Sequence, residues 1–206
     1  MKKIISFIGL LALAGVTLLF VGCDDASYPN KLSVYPFKTA LVQYELSGNT
    51  EGDQSLFIRG DEKAVSTFIT TPGQEKNTFE LYLGSTKYIA NLDKMTAVKA
   101  ANTQYTDMLE LSPEEQEAYL IKKSLGLKES AELPEPIITS TVAGRECDVY
   151  DIPNVGSACI WNGIVLQKEI TLAGITNKTI AVNVETDVEI PDERFELPAG
   201  VIVTNN

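Results

Sequence analysis

Leu41-Val42-Gln43-Tyr44-Glu45-Leu46-Ser47-Gly48-Asn49-Thr50-Glu51-Gly52 is the stretch that decides the fold. Leu41, Gln43 and Glu45 fall on one face of an extended chain and Val42, Tyr44 and Leu46 on the other, before the glycines turn it. A period of two marks a half-buried strand, and glycine and asparagine supply the backbone freedom a tight turn needs. The pattern repeats downstream. Runs Gln54 to Arg59, Lys63 to Thr71, Thr78 to Leu83, Lys87 to Leu92 and Met95 to Lys99 follow, separated by turn residues such as Gly60-Asp61 and Pro72-Gly73. Short strands at about this spacing predict an antiparallel meander.

The pattern then changes. Ser112-Pro113-Glu114-Glu115 starts a helix: serine caps, proline takes the first helical position, and Glu115 can reach back to close a capping box. Glutamates crowd the first turn and Lys122 and Lys123 the last, the sense the helix dipole favours, and Gly126 can end the helix. A short helical turn through Tyr105 to Leu111 could precede it. Ala118, Ile121 and Leu125 form one apolar stripe whose nearest cover is a face of the sheet.

After a loop holding Pro134 and Pro136, strands resume at Val142 to Ile152, Ala158 to Trp161, Ile164 to Leu172 and Thr179 to Ile190. Asn162-Gly163 is the signature of a primed hairpin turn. Cys147 and Cys159 flank the turn at Pro153 to Gly156, and their numbers place them opposite each other if the hairpin is centred on Pro153. Facing strand residues are close enough for a disulfide, so a Cys147–Cys159 bridge is expected.

At the other end, Met1-Lys2-Lys3 precedes an uncharged run from Ile4 to Val21 and then Gly22-Cys23-Asp24-Asp25. This is the layout of a secretory signal peptide. Leu19-Phe20-Val21-Gly22-Cys23 resembles the lipobox of bacterial lipoproteins, which implies cleavage before Cys23 and lipid attachment to its thiol. The alternative is a retained membrane-spanning helix, which would lack the basic flank such helices carry. In either case the body is tethered outside the cytoplasm. Residues 1–22 are thus a signal, 23–38 a tether interrupted by Pro29 and Pro36, and 39–202 one domain. Which membrane holds the anchor is left open, so the expected location is the cell envelope, periplasmic or surface-facing.

Composition narrows the chemistry. The 206-residue chain has 17 basic and 28 acidic residues, a formal charge of −11 that grows by two units without Lys2 and Lys3. Such a surface repels phosphate backbones, so no nucleic-acid partner is expected. The chain contains no histidine, which removes the commonest general base and metal ligand together. No phosphate-binding glycine loop, nucleophile elbow or zinc motif occurs, and no cofactor or metal is expected. Glu114, Glu115 and Glu117 read as a solvated helix start, and Trp161 as a hairpin residue packed on its neighbour. The expectation is a protein that is not an enzyme.

Five segments carry a further resemblance: Tyr44-Glu45-Leu46-Ser47-Gly48, Tyr88-Ile89-Ala90-Asn91-Leu92-Asp93, Gly144-Arg145-Glu146-Cys147-Asp148-Val149-Tyr150, Ile160-Trp161-Asn162-Gly163-Ile164-Val165-Leu166, and Ile190 to Gly200. With the order of strands, helix and strands, they resemble the lipoprotein-carrier superfamily of the LolA and LolB type, and a smaller family of similar build, the DUF4412 type. The resemblance implies a β-rich α+β fold, a curved antiparallel half-barrel with a short helical insert on its concave face. It also implies a non-enzymatic lipoprotein that binds an acyl chain or a lipoprotein, with Ala118, Ile121 and Leu125 lining the lid. The alternative is a filled core and an envelope protein that meets a protein partner.

Overall fold

A computed structural model describes residues 35–205. The signal peptide, the lipobox and Cys23 lie outside the described residues. Six antiparallel strands come first: β1 (Thr39–Gly48), β2 (Glu51–Arg59), β3 (Glu62–Thr71), β4 (Gln74–Leu83), β5 (Thr86–Asn91) and β6 (Thr96–Ala101). Two helices follow, α1 (Thr103–Met108) and α2 (Pro113–Leu125). Then come β7 (Ile138–Val142), β8 (Arg145–Ile152), β9 (Gly156–Trp161), β10 (Ile164–Leu172) and β11 (Ile175–Thr186), and, after a 3₁₀ turn at Asp192–Phe195, β12 (Ile202–Asn205). All twelve strands join one open, curved sheet in the order β12-β6-β5-β4-β3-β2-β1-β11-β10-β9-β8-β7.

Register carries the alternation seen in the sequence across the sheet. Leu41 faces Phe57, Phe57 faces Ala64, Ala64 faces Leu81 and Leu81 faces Tyr88, so one face presents a continuous apolar row. Ile190, Phe195 and Leu197 pack against that row from the chain's last segment. On the opposite face Val42, Tyr44, Leu56 and Ile58 pack with Ala181 and Val184. Each face thus has its own cover, and burying both removes apolar area worth about 25 cal/mol per Å² from water.

Two register shifts interrupt the ladder, between Gln43 and Tyr44 on β1 against β11 and between Val165 and Gln167 on β10 against β9. An extra residue on one strand bends it and increases local twist. Leu166 occupies the second irregularity and is fully buried, so the bend is filled with side chain.

The helix forms as its sequence directs. The Ser112 side chain accepts from the Glu115 backbone N–H, the Glu115 carboxylate accepts from the Ser112 N–H, and Gly126 closes the helix at φ 71°. Ile121 and Leu125 pack with Tyr150, Ile152, Ala158 and Ile160 of β8 and β9.

Four details differ from the sequence expectation, the first being that β11 runs Ile175–Thr186 where the sequence predicts Thr179 to Ile190. Val142 to Ile152 is not one strand: it contains the end of β7, a turn at Ala143-Gly144 and β8. β12 adds a parallel strand beside β6, pairing Ile202 with Thr96. The β8–β9 hairpin is centred on Asn154 and not on Pro153, because Ile152 faces Gly156. Asn154 takes φ 64°, a conformation asparagine tolerates better than most residues. Gly156 is required there, since a Cβ would lie 1.8 Å from the Glu169 carbonyl oxygen.

That shift bears on the cysteines. Cys159 faces Val149, so Cys147 stands two residues along from its partner's opposite number. The two are nonetheless joined by a disulfide, with a Cα–Cα distance of 5.4 Å.

Candidate functional site

Between α2 and the face carrying Tyr44 and Ile58 lies a hollow of about 450 Å³. Leu56, Ile58 and Val65 of β2 and β3 form one part of its wall, and Ile164 and Val165 of β10 another. Leu120 reaches in from α2. Tyr44 donates from its hydroxyl to the Val165 carbonyl at 3.0 Å, tying β1 to β10 across the intervening β11. Tyr35 closes the site from the N-terminal side. Its ring stacks on Phe37 at 5.3 Å, and Phe37 stacks on Trp161 at 5.5 Å, so residues in the stretch read as tether pack onto the domain.

Three ammonium groups line the same hollow, Lys63, Lys123 and Lys168, and no Asp or Glu does. Lys63 lies 4.1 Å above the Tyr82 ring and has no hydrogen bond or ion pair among the described residues. Burial lowers its pKa, with Glu80 opposing and Lys87 reinforcing that shift. Tyr82 donates its own hydroxyl to the Glu80 carboxylate. Lys168 donates to the Ser124 carbonyl at 2.8 Å, and burial lowers its pKa as well. Lys123 is different, because its charge is met by Glu129 at 2.7 Å. Burial pushes the Tyr35 phenol up to about 12 and raises that of Tyr44 further.

The opposite side of α2 has the reverse character. Glu114, Glu117, Glu146 and Asp148 line a cleft of about 390 Å³ beside Tyr150 and Trp161, with no lysine or arginine in its wall. Arg145 sits over the Trp161 ring at 5.1 Å. One helix therefore separates a basic hollow from an acidic cleft.

The residues expected to line a lid fall as follows. Ala118 and Ile121 border the acidic cleft, and Leu125 is buried with Ile121 against β8 and β9. The side of α2 that meets the hollow carries Leu120, Lys123 and Ser124. Cys147 contributes to the acidic cleft and is bridged to Cys159. Sequence reading passed over Lys63 and Lys168. Lys63 shares the parity of Val65 on β3, and a lysine on the apolar side of an alternating strand was the available signal. Among the described residues no group of three or more acidic or cysteine side chains could hold a metal ion.

No protein-family profile and no curated protein matches the chain. Solved structures do. The chain is similar to an uncharacterized conserved protein from Thermus thermophilus, at 7% identity over 83% of this chain and 92% of that one, with a TM-score of 0.54. This likeness shows the fold alone. PNGF-II matches at 11% identity and TM-score 0.48, and MucB in complex with MucA of Pseudomonas aeruginosa at 12% and 0.45. The chain spans 32% of the former and 58% of the latter, and neither likeness carries an argument here.

Proposed function

We propose that this protein is a membrane-tethered, non-enzymatic lipoprotein of the bacterial envelope, in which the curved sheet acts as a half-barrel holding an acyl chain under α2. The observation that carries the reading is the 450 Å³ hollow walled by Leu56, Ile58, Val65 and Leu120. Its size falls in the range of about 300–1,000 Å³ typical of small-molecule sites, which are mostly apolar with a few polar groups. Among the described residues no helix is long and apolar enough to cross a membrane, a statement that does not concern strands. In this reading Cys23 holds the protein to the bilayer, because two or more acyl chains anchor stably where one is marginal.

The test uses the full chain extracted from membranes. Intact mass spectrometry reads acylation at Cys23 and any bound lipid. A diazirine-bearing acyl methyl ester, irradiated with the protein, is expected to label the Leu56 to Val65 segment and Leu120. Absence of labelling in the hollow overturns the acyl reading, and an unmodified Cys23 overturns the anchor.

The acidic cleft favours a second reading, an envelope protein whose Glu114, Glu117, Glu146 and Asp148 face a basic partner surface. It predicts crosslinks to another protein from a photoreactive residue placed at Glu117, and an acyl probe that labels nothing inside.

A further inference from the structure

The acyl reading leaves one feature unused: the charge inside the hollow. In a chain with 28 acidic and 17 basic residues, this wall holds three lysines and no carboxylate. Lys123 is neutralised by Glu129, which leaves Lys63 and Lys168 without an ion pair among the described residues. A half-buried ammonium outside any ion pair is stabilised when an anion arrives with a ligand.

The carboxylates nearest this end are committed elsewhere. A smaller pocket of about 50 Å³ shares Lys63 with the hollow and includes Asp61 and Glu62. Glu62 accepts from Arg59 at 2.8 Å and Asp61 from the Tyr105 hydroxyl at 3.1 Å. Glu80 receives the Tyr82 hydroxyl and attracts Lys63 without forming an ion pair with it.

The surroundings also restrict the anion. No arginine lines the hollow, so the forked donor that suits phosphate is missing. α2 presents its C-terminal half there, through Leu120, Lys123 and Ser124, and the negative end of a helix dipole opposes a doubly charged group. A monoanion satisfies these conditions, and the apolar wall supplies a place for its chain.

We propose that the hollow takes a free fatty acid, its carboxylate held in the positive field of Lys63 and Lys168 and its chain lying against Leu56, Ile58, Val65 and Leu120. This rests on the acyl reading and adds the head group to it.

The experiment sets a diazirine fatty acid of palmitate length against its methyl ester on the full-length, membrane-extracted protein. The acid is expected to label the hollow about tenfold more strongly than the ester, a difference of about 1.4 kcal/mol. Lys63→Met should remove that preference while leaving ester labelling intact, and Lys63→Arg should keep it. Lys63 makes no hydrogen bond to lose, and a thermal melt of each variant confirms folding; Lys168→Gln serves as the second charge removal. Equal labelling by acid and ester, or a preference that survives both charge removals, overturns the fatty-acid assignment and leaves the acyl reading standing. Failure of both probes to reach the hollow overturns the two together.

Discussion

The Lys168 ammonium donates to the Ser124 carbonyl oxygen at 2.8 Å, fastening the middle of β10 to the last turn of α2. That carbonyl is among the last four of the helix, which have no partner within it. Lys168→Met should therefore loosen α2 selectively. The expected loss is about 1 kcal/mol, the usual net worth of one hydrogen bond, read as faster amide exchange in α2 with the β1–β4 amides unchanged. Uniform acceleration through the sheet would show that the contact does not act locally.

The start of the same helix offers a second handle. Ser112→Ala deletes the side chain that accepts from Glu115 and should destabilise by about 1 kcal/mol. Chemical denaturation followed by circular dichroism measures it. An unchanged midpoint would mean that Glu115 and Pro113 hold the helix start without the serine.

Reduction of Cys147–Cys159 reopens a link between residues 12 apart. The expected loss is about 2–3 kcal/mol, because the unfolded chain regains the freedom the crosslink denied it. Urea unfolding with and without reductant should show the shift, and Cys147→Ser should reproduce it in the absence of reductant.

Alkaline titration should show two opposed slopes. The folded pKa values of Lys63 and Lys168 lie below the ordinary 10.5, so between the two values the unfolded state binds more protons and stability rises with pH. The phenol of Tyr35 is raised from 10.0 to about 12, so here the folded state keeps its proton longer and stability falls through that window. The net expectation is a rise that turns over above pH 10. Phenolate absorbance should show Tyr35 ionising only near pH 12 or on unfolding, and Lys63→Met should flatten the rising limb.

The meander was legible because β1, β3 and β4 alternate and turn residues follow them, Gly48 at the end of β1, Pro72-Gly73 after β3 and Gly84 after β4. α2 was legible for a separate reason, a complete cap at each end. β7 was hidden because the turn at Ala143-Gly144 is short and interrupts what reads as one strand, with Ala143 at φ 48°, a conformation alanine rarely adopts. Ala173 takes the same conformation between β10 and β11 at φ 51°, where Gly174 marks the turn. β12 pairs with β6 across about a hundred residues of sequence, and such parallel pairing leaves no local trace. The site was legible only in outline. Which side of α2 meets the hollow depends on how far the sheet bends at Val182 and Leu166, and those irregularities have no sequence signature.

The unclosed sheet ends in β7 at one side and β12 at the other, strands of five and four residues. An unpaired strand invites a neighbouring molecule to add itself, and length sets how strongly. Here a newcomer would gain only a few rungs before the ladder ran out. The trough can therefore stay open without its copies zipping into a filament.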